Sequence, residues 1–416
     1  VAELAIAQPA GEQTLLHYYK SWCLIRLGKT AEAQIAIATA EKEPADYCFP
    51  NALEAIEALQ CVVDFAGKAP KALYYLGNLW YDKRRYPTAI AAWERSSRED
   101  ETFPTVWRNL SLAYFNKMNR PDAAVALLEK AFRLDHTDAR VLMELDQLYK
   151  RLNRPHIERL CFLEQHIDIV MTRDDLYLEY VTLLNQTGQY REAIRRIDQR
   201  KFHPWEGGEG KVPAQYQLAR LELAKELINR KKYDDALALI DECYIYPAHL
   251  GEGKLPGAQE NDFNYYKAYI LQQQGRPEEA HSLFVKACSG NSQPAAAMYY
   301  NDQKPDKIFY QGLAYRKLGE EEKARSRFNQ LITYGEEHLF DRFKMDYFAV
   351  SLPDLLIWED DMDKKNRIHC NYLMALGHLG LGNRTKTEHF FDIAASMDNN
   401  HQGVQIHRKL MNTILS

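Results

Sequence analysis

The chain is built of short amphipathic stretches, apolar at every third or fourth position, arranged in pairs around turns of a few residues. Over 70–137 this pattern repeats at a spacing of 34 residues. Leu76-Gly77, Trp80, Ala89 and Trp93 in one copy are echoed by Leu110, Ala113-Tyr114, Ala124, Leu128 and Ala131 in the next, which runs one step late after an inserted residue near Lys117. Small residues recur where one helix must approach another, and large ones where volume must be filled. A period of this length with helical halves predicts helical hairpins stacked side by side, each burying its apolar face on the next.

A small residue in a turn with alanine five positions later places the other hairpins. Gly28 with Ala33 marks a unit at about 13–43, and 51–65 reads as a lone helix, a half-repeat. The clear pair occupies 70–103 and 104–137. A degenerate unit follows at 139–170, where Leu145, Tyr149 and Asn153 keep register but Glu158 replaces the small residue. Gly188 with Ala193 marks 174–201. Beyond 201 the turns at Lys231, Gly275 and Gly319 lie 44 residues apart, so long loops must separate the hairpins. Pro277 suits the first turn of a second helix. A last unit near 367–398 uses Gly382 with Thr387, then Phe391 and Ala394. Between the last two units, 338–361 carries Leu339, Phe340, Phe343 and Tyr347 at helical spacing and breaks at Ser351-Leu352-Pro353. Ser351 is placed to cap a short helix with Leu355, Leu356 and Trp358 facing inward, which predicts an added helical layer.

The period and the small-residue positions resemble the tetratricopeptide (TPR) pattern. The expected fold is therefore all-α, a right-handed superhelical solenoid of about nine hairpins. It should run as one array over 1–416: regular repeats at about 13–201, repeats with long loops at 202–335, and the added layer with the terminal repeat at 336–416. Gly77, Ala89, Ala124, Gly312 and Ala324 are expected in helix–helix contacts. A length of 416 residues exceeds a single compact core, but a stacked array has no such limit.

Charge narrows the partners. A formal net charge of −5 lacks the basic footprint that phosphate contacts need, which argues against nucleic acid. No apolar run approaches the roughly 20 residues of a membrane span, so a membrane is not an expected partner. The seven cysteines stand singly without a C-x-x-C pair and read as small buried residues in a reducing compartment. The opening VAELAIAQPA has neither an initiating Met nor a basic stretch before an apolar one, so the chain reads as a fragment. Cytoplasmic location is the default expectation, subject to any signal upstream.

One motif is duplicated. Residues 204–213 read PWEGGEGKVP and 247–256 read PAHLGEGKLP, which share P-x-x-x-G-E-G-K-[V/L]-P. Glycines around a glutamate permit close backbone approach, and the prolines fix entry and exit. Either the loops are connectors whose Glu209 and Glu252 accept backbone hydrogen bonds, or they form a ligand or partner site lined by Trp205, Glu209, Lys211, His249, Glu252 and Lys254. GEGK is not a phosphate loop, because Val212 and Leu255 stand where Ser or Thr is required. The glutamates do not suggest a glycosidase pair, since stacked units lie about 10 Å apart. No catalytic residue is expected in this chain.

Other constellations carry no chemistry. The 13 histidines form no H-E-x-x-H and no ligand spacing with cysteine, so neither metal nor cofactor is expected. Glu359, Asp360, Asp361 and Asp363 lack the glycine and distal glutamate of a calcium loop and read as a solvated face. Trp80, Trp93, Trp107 and Tyr114 are core by spacing. Chaperone-binding TPR domains hold a carboxylate with two asparagines and three basic residues; Asn78, Asn109 and Arg140 match, but Tyr74 and Glu144 do not. A glutamate there would repel a bound carboxylate.

Five segments, YYLGNLWYDKRRY (74–86), LDQLYKRLNRP (145–155), FHPWEGGEGKV (202–212), YPAHLGEGKL (246–255) and DYFAVSLPDLL (346–356), resemble the C-terminal repeat region of large bacterial multidomain proteins. In that family a β-rich domain of unknown function precedes the TPR array. The resemblance implies a missing N-terminal half, a place in carbohydrate metabolism and a carbohydrate as a further ligand, but supplies no catalytic residue. The expected role is a non-catalytic scaffold that binds a protein segment or docks the missing N-terminal domain. The alternative is an accessory region of a carbohydrate-active enzyme or sugar-binding protein whose main site lies on that domain.

Overall fold

The computed structural model describes residues 13–296, 302–342 and 357–411. Among them all regular structure is helical, and the chain divides into two compact units, 1–148 and 149–416.

The first unit holds α1 (Gln13–Arg26), α2 (Thr30–Lys42), α3 (Leu53–Ala66), α4 (Pro70–Asp82), α5 (Tyr86–Glu99), α6 (Pro104–Asn116), α7 (Pro121–Leu134) and α8 (Ala139–Arg151), in whose last turn the division falls. α1/α2, α4/α5 and α6/α7 are hairpins, and α3 packs alone on α1 and α4, the half-repeat expected. Proline opens α4, α6 and α7, where its missing N–H has no intrahelical partner to lose. A Cβ on Gly77 would fall 2.2 Å from the Trp93 indole, so only glycine lets α4 and α5 meet. That indole donates to Tyr74 O at 3.1 Å. Ala89 and Ala124 have no exposed surface.

Two sequence expectations change here. Trp93 is core, but Trp80, Trp107 and Tyr114 are only half-buried. Trp107 lies under the Lys130 ammonium, 3.5 Å from its centroid, because its position faces the edge of the hairpin. Glu144, the residue that disfavours carboxylate capture, is fully buried between Arg108, which pairs with it through Nε and Nη2 at 2.6 Å each, and Arg140 at 3.0 Å. The cations nearest the would-be clamp are already neutralised.

The second unit continues with α9 (His156–Gln165), α10 (Ile167–Val170), α11 (Asp174–Gln186), α12 (Tyr190–Asp198), α13 (Lys211–Asn229), α14 (Tyr233–Cys243), α15 (Asn261–Gln273), α16 (Pro277–Ala287), α17 (Pro305–Lys317), α18 (Glu321–His338), α19 (Met362–Gly380), α20 (Arg384–Met397) and α21 (Gln402–Leu410). α11 to α20 form five successive hairpins. Gly312 and Gly380 both press on Phe328, where an added Cβ would fall 2.4 and 2.2 Å from the ring. Ala324 is fully buried.

Of the added layer, Phe343, Tyr347, Ser351-Leu352-Pro353, Leu355 and Leu356 lie outside the described residues. Trp358 is buried, whereas Phe340 is 83% exposed. Asp360 departs from a solvated face: Arg151 and Lys365 both hold it. Asp361 caps α19 by accepting from Lys364 N–H at 2.8 Å. Glu359 and Asp363 are exposed as expected. All seven cysteines are free, but Cys23 and Cys161 are exposed, on outward faces of their helices.

α21 follows the last hairpin and was not legible as a helix. It lies on the first helices of its own unit. Gln402 meets Gln215 of α13, and His407 meets Phe309 and Tyr310 of α17 and Tyr372 of α19. The turn before it is tied to the turn that follows α8, to α9 and to α11: Asn399 donates to Asn153 O at 2.7 Å, Arg159 to Asn400 Oδ1 at 2.7 Å, and Gln186 to Asn400 O at 2.8 Å. The unit is thus closed on its own C-terminal segment.

Candidate functional site

The duplicated loops meet. Phe202, 1% exposed and packed 6.0 Å from Tyr177, anchors the first loop and donates its N–H to His249 O of the second at 2.8 Å. Gly251, with φ +78°, rests on Phe202 O, where a Cβ would come within 2.7 Å. Gly210 donates to Glu252 Oε2 at 2.7 Å, and Glu209 accepts from Gly207 at 3.3 Å. The stacked-unit spacing therefore does not separate the loops; their glycines let them fold toward each other.

The two copies of the motif nonetheless differ in conformation. In the first, Gly210 takes a left-handed conformation and α13 starts at Lys211. In the second, a further turn intervenes before α15, and Lys254 is folded back on Glu260 and Tyr244 O. A helix start allows one GEGK to run straight on, while the other must cross a longer connection.

Between the loops is a cavity of about 270 Å³. Of the six residues singled out by sequence, Trp205, Glu209 and Glu252 line it, and Lys211, His249 and Lys254 do not. His249 turns instead toward Asp198, 3.8 Å away. Sequence reasoning missed His203 and Glu206, which also line the cavity. They flank Trp205 in the first copy, but the second copy has Tyr246 and His249 at the matching positions, so the repeat gave no signal. His203 is fixed by Asp174, which accepts from its backbone N–H at 2.9 Å. The Trp205 indole lies over Gly208, whose Cβ would fall 2.4 Å from it. Burial holds the Glu252 carboxyl above its ordinary range; the Gly210 N–H partly offsets this, and the Glu209 charge adds to it. The cavity thus combines an indole with carboxylates on a glycine-shaped frame. Among the described residues no group of three or more His, Cys, Asp or Glu could hold a metal, and no helix is long and apolar enough to cross a membrane.

One hairpin has a match among known families. Residues 308–334, most of the α17/α18 hairpin, match the tetratricopeptide repeat family model. Among solved structures, a tetratricopeptide repeat protein from Parabacteroides merdae is 16% identical over 73% of this chain and 99% of its own, with a TM-score of 0.28. The Naa15/Naa10 complex bound to HypK-THB includes a chain 12% identical over 86% of this chain and 64% of its own, with a TM-score of 0.39. PilF of Pseudomonas aeruginosa is 13% identical over 64% of this chain and 91% of its own, with a TM-score of 0.21. By its helical hairpins and this family match, the chain has a TPR-type fold.

Proposed function

We propose that this chain is a non-catalytic interaction scaffold, and that the cavity between the GEGK loops receives a protein segment, either of a separate partner or of the β-rich domain implied by the resemblance. The observation that carries the reading is the hydrogen bond from Gly210 to Glu252, which joins the loops around Trp205, Glu209 and Glu252. Holding so many glycines in place costs chain entropy, which a mere connector has no need to meet. An indole beside carboxylates suits a basic side chain, through cation–π contact and charge-assisted hydrogen bonds. In this unit α21 covers the first-helix face, which leaves the loops as the outward feature. Lys211, His249 and Lys254 stand at the margin of the site.

The test is calorimetric titration of the chain with short peptides bearing Arg or Lys, and with acidic peptides as controls. Basic peptides should bind, and the double substitution Glu209→Gln with Glu252→Gln should weaken them at least about tenfold, roughly 1.4 kcal/mol. Equal binding of acidic peptides, or no change in the double variant, refutes the loop site. Turnover of a glycoside by the chain alone refutes the scaffold reading. The β-rich domain added in trans should bind the wild-type chain and lose affinity for the double variant.

A further inference from the structure

The second unit crosses from hairpin to hairpin through three long connections in succession: 199–210 before α13, 244–260 before α15 and 288–304 before α17. The first two meet at the GEGK cavity. The second and third meet as well: Gln259 donates to Asp302 O at 3.2 Å and accepts from the Lys304 N–H at 3.1 Å. Beside this junction lies another cavity, of about 400 Å³. The middle connection is a wall common to both cavities, with Leu250 and Glu252 on the first and residues 257–261 on the second.

The two cavities differ in chemistry. Glu206, Glu209 and Glu252 bring three carboxylates to the first, none of them in an ion pair among the described residues. The second is lined largely by carboxamides, and their neighbours decide which end of each is left over. Asn264 Oδ1 accepts from the Tyr244 hydroxyl at 2.9 Å and Asn291 Oδ1 from the Gln293 N–H at 3.0 Å, so both keep a free NH2. Gln303 is 6% exposed, and its Nε2 is buried without a hydrogen-bond partner. Lys286 adds an exposed ammonium that has no ion-pair partner among the described residues. Against these donors stand two acceptors. The NH2 of Asn261 is taken by Ala287 O and Ser289 O at 2.9 and 2.8 Å, which leaves its carbonyl, and the Glu260 carboxylate is already held by Lys254. Donors therefore exceed acceptors, and the charge left unbalanced is one ammonium. A group that only accepts and carries a single negative charge fits this balance, which is the description of a carboxylate. A phosphate monoester, with close to two charges, does not.

We propose that the second cavity is a carboxylate subsite, filled by an Asp or Glu of the same segment whose basic side chain enters the first. The inference rests on the proposed peptide-binding role of the GEGK cavity and adds a second charge to the partner. Neighbouring hairpins lie about 10 Å apart, so roughly three residues of extended chain separate the base from the acid. Opposite signs in adjoining cavities fix the direction in which the segment lies, and a purely basic or purely acidic segment fills only one of them.

The probes are short fluorescent Gly/Ser peptides titrated into the full chain and followed by anisotropy. Each carries one Arg, with Glu, Gln or phosphoserine placed about two to five positions to either side of it. At its best spacing the Arg/Glu peptide should bind at least about fivefold more tightly than the matching Arg/Gln peptide. Lys286→Met, at an exposed position, should abolish that gain and leave the affinity for Arg/Gln unchanged; Gln303→Leu should do the same. Glu209→Gln with Glu252→Gln should instead weaken both peptides alike. Equal binding of Arg/Glu and Arg/Gln at every spacing overturns the subsite while leaving the first cavity's role standing. A gain that survives Lys286→Met overturns it too, because the carboxylate is then bound elsewhere. Phosphoserine binding more tightly than Glu overturns the assignment to a carboxylate. Failure of every Arg peptide to bind is a different result, and removes the reading of the first cavity together with this one.

Discussion

Acidification should loosen the second unit through His407. Burial, reinforced by the nearby Lys225 charge, depresses its imidazole to about 4, with the Gly403 carbonyl and the Glu222 and Asp262 carboxylates only partly opposing. Phe309, Tyr310 and Tyr372 complete its surroundings and carry no charge at these pH values. In the unfolded chain the ring titrates near 6.5, so between that value and about 4 the unfolded state binds the extra proton. The stability contribution is therefore fully present above about pH 6.5 and is lost as pH falls through the folded value. A shift of this size amounts to about 3 kcal/mol once complete, and to about 2 kcal/mol already at pH 5. The assay is urea unfolding at pH 7 and pH 5, followed by circular dichroism, on the wild-type chain and on His407→Gln. His369, also depressed to about 4 by burial, and His401, lowered by burial as well, contribute equally to both proteins and drop out of the comparison. The pH-dependent loss should be about 2 kcal/mol smaller in the variant. An identical loss in the two proteins would show that His407 keeps a route to water or a counter-charge when protonated, and the reasoning fails.

Other perturbations test the packing and the loops. Gly380→Ala drives a methyl into Phe328, which is fully buried and cannot retreat, so thermal unfolding should report a loss of about 1–3 kcal/mol, partly recovered by adding Phe328→Leu. Glu144→Ala strands the largely buried Arg108 and should cost about 3–5 kcal/mol by the same measurement, whereas Arg140→Ala, at a side chain 56% exposed, should cost under about 1 kcal/mol. Glu252→Gln keeps an acceptor for the Gly210 N–H and should change stability by less than about 1 kcal/mol while weakening basic peptides; Glu252→Ala leaves that donor unpaired and should raise hydrogen exchange at Gly210.

The parts of this structure that were readable beforehand are those set by near neighbours in sequence. A hairpin is decided within about one repeat, by a small residue that must sit under a large one, and Gly77 beneath Trp93 or Gly312 beneath Phe328 is a contact across 16 residues. The lone helix at 53–66 was readable for the same reason, its apolar stripe having no second helix to follow it. The paired loops were legible as a motif because they repeat, yet the division of their residues was not. Trp205, Glu209 and Glu252 face the cavity while Lys211, His249 and Lys254 do not, because one copy runs directly into a helix and the other must first cross a further turn. The first copy's own flanks, His203 and Glu206, had no counterpart to draw attention to them.

What stayed hidden was decided over long distances. Asp360 reads as one of four acids in a solvated run, and only its meeting with Arg151, 209 residues away, makes it a half-buried ion-pair partner. α21 offers three buried positions in nine residues, too few to mark a helix by periodicity, and its one specific residue is a histidine whose cage comes from α17 and α19. The same feature explains why α21 and the face beneath it belong together. First helices that only stacked on one another would present a continuous apolar floor, whereas this floor carries Glu222, Lys225, Asp262 and Lys307, four ionisable groups nearly out of water. Replacing such pairs by apolar residues often stabilises a fold, so their presence favours selectivity over raw stability as the reason for this surface. A helix that places an imidazole against Tyr310 and Tyr372, and keeps its amides and its ammonium at the rim, satisfies that floor; one bearing an acid at the same position would bury a carboxylate among aromatic rings that leave Nε2 of the present imidazole without a hydrogen-bond partner, and would lose stability for it.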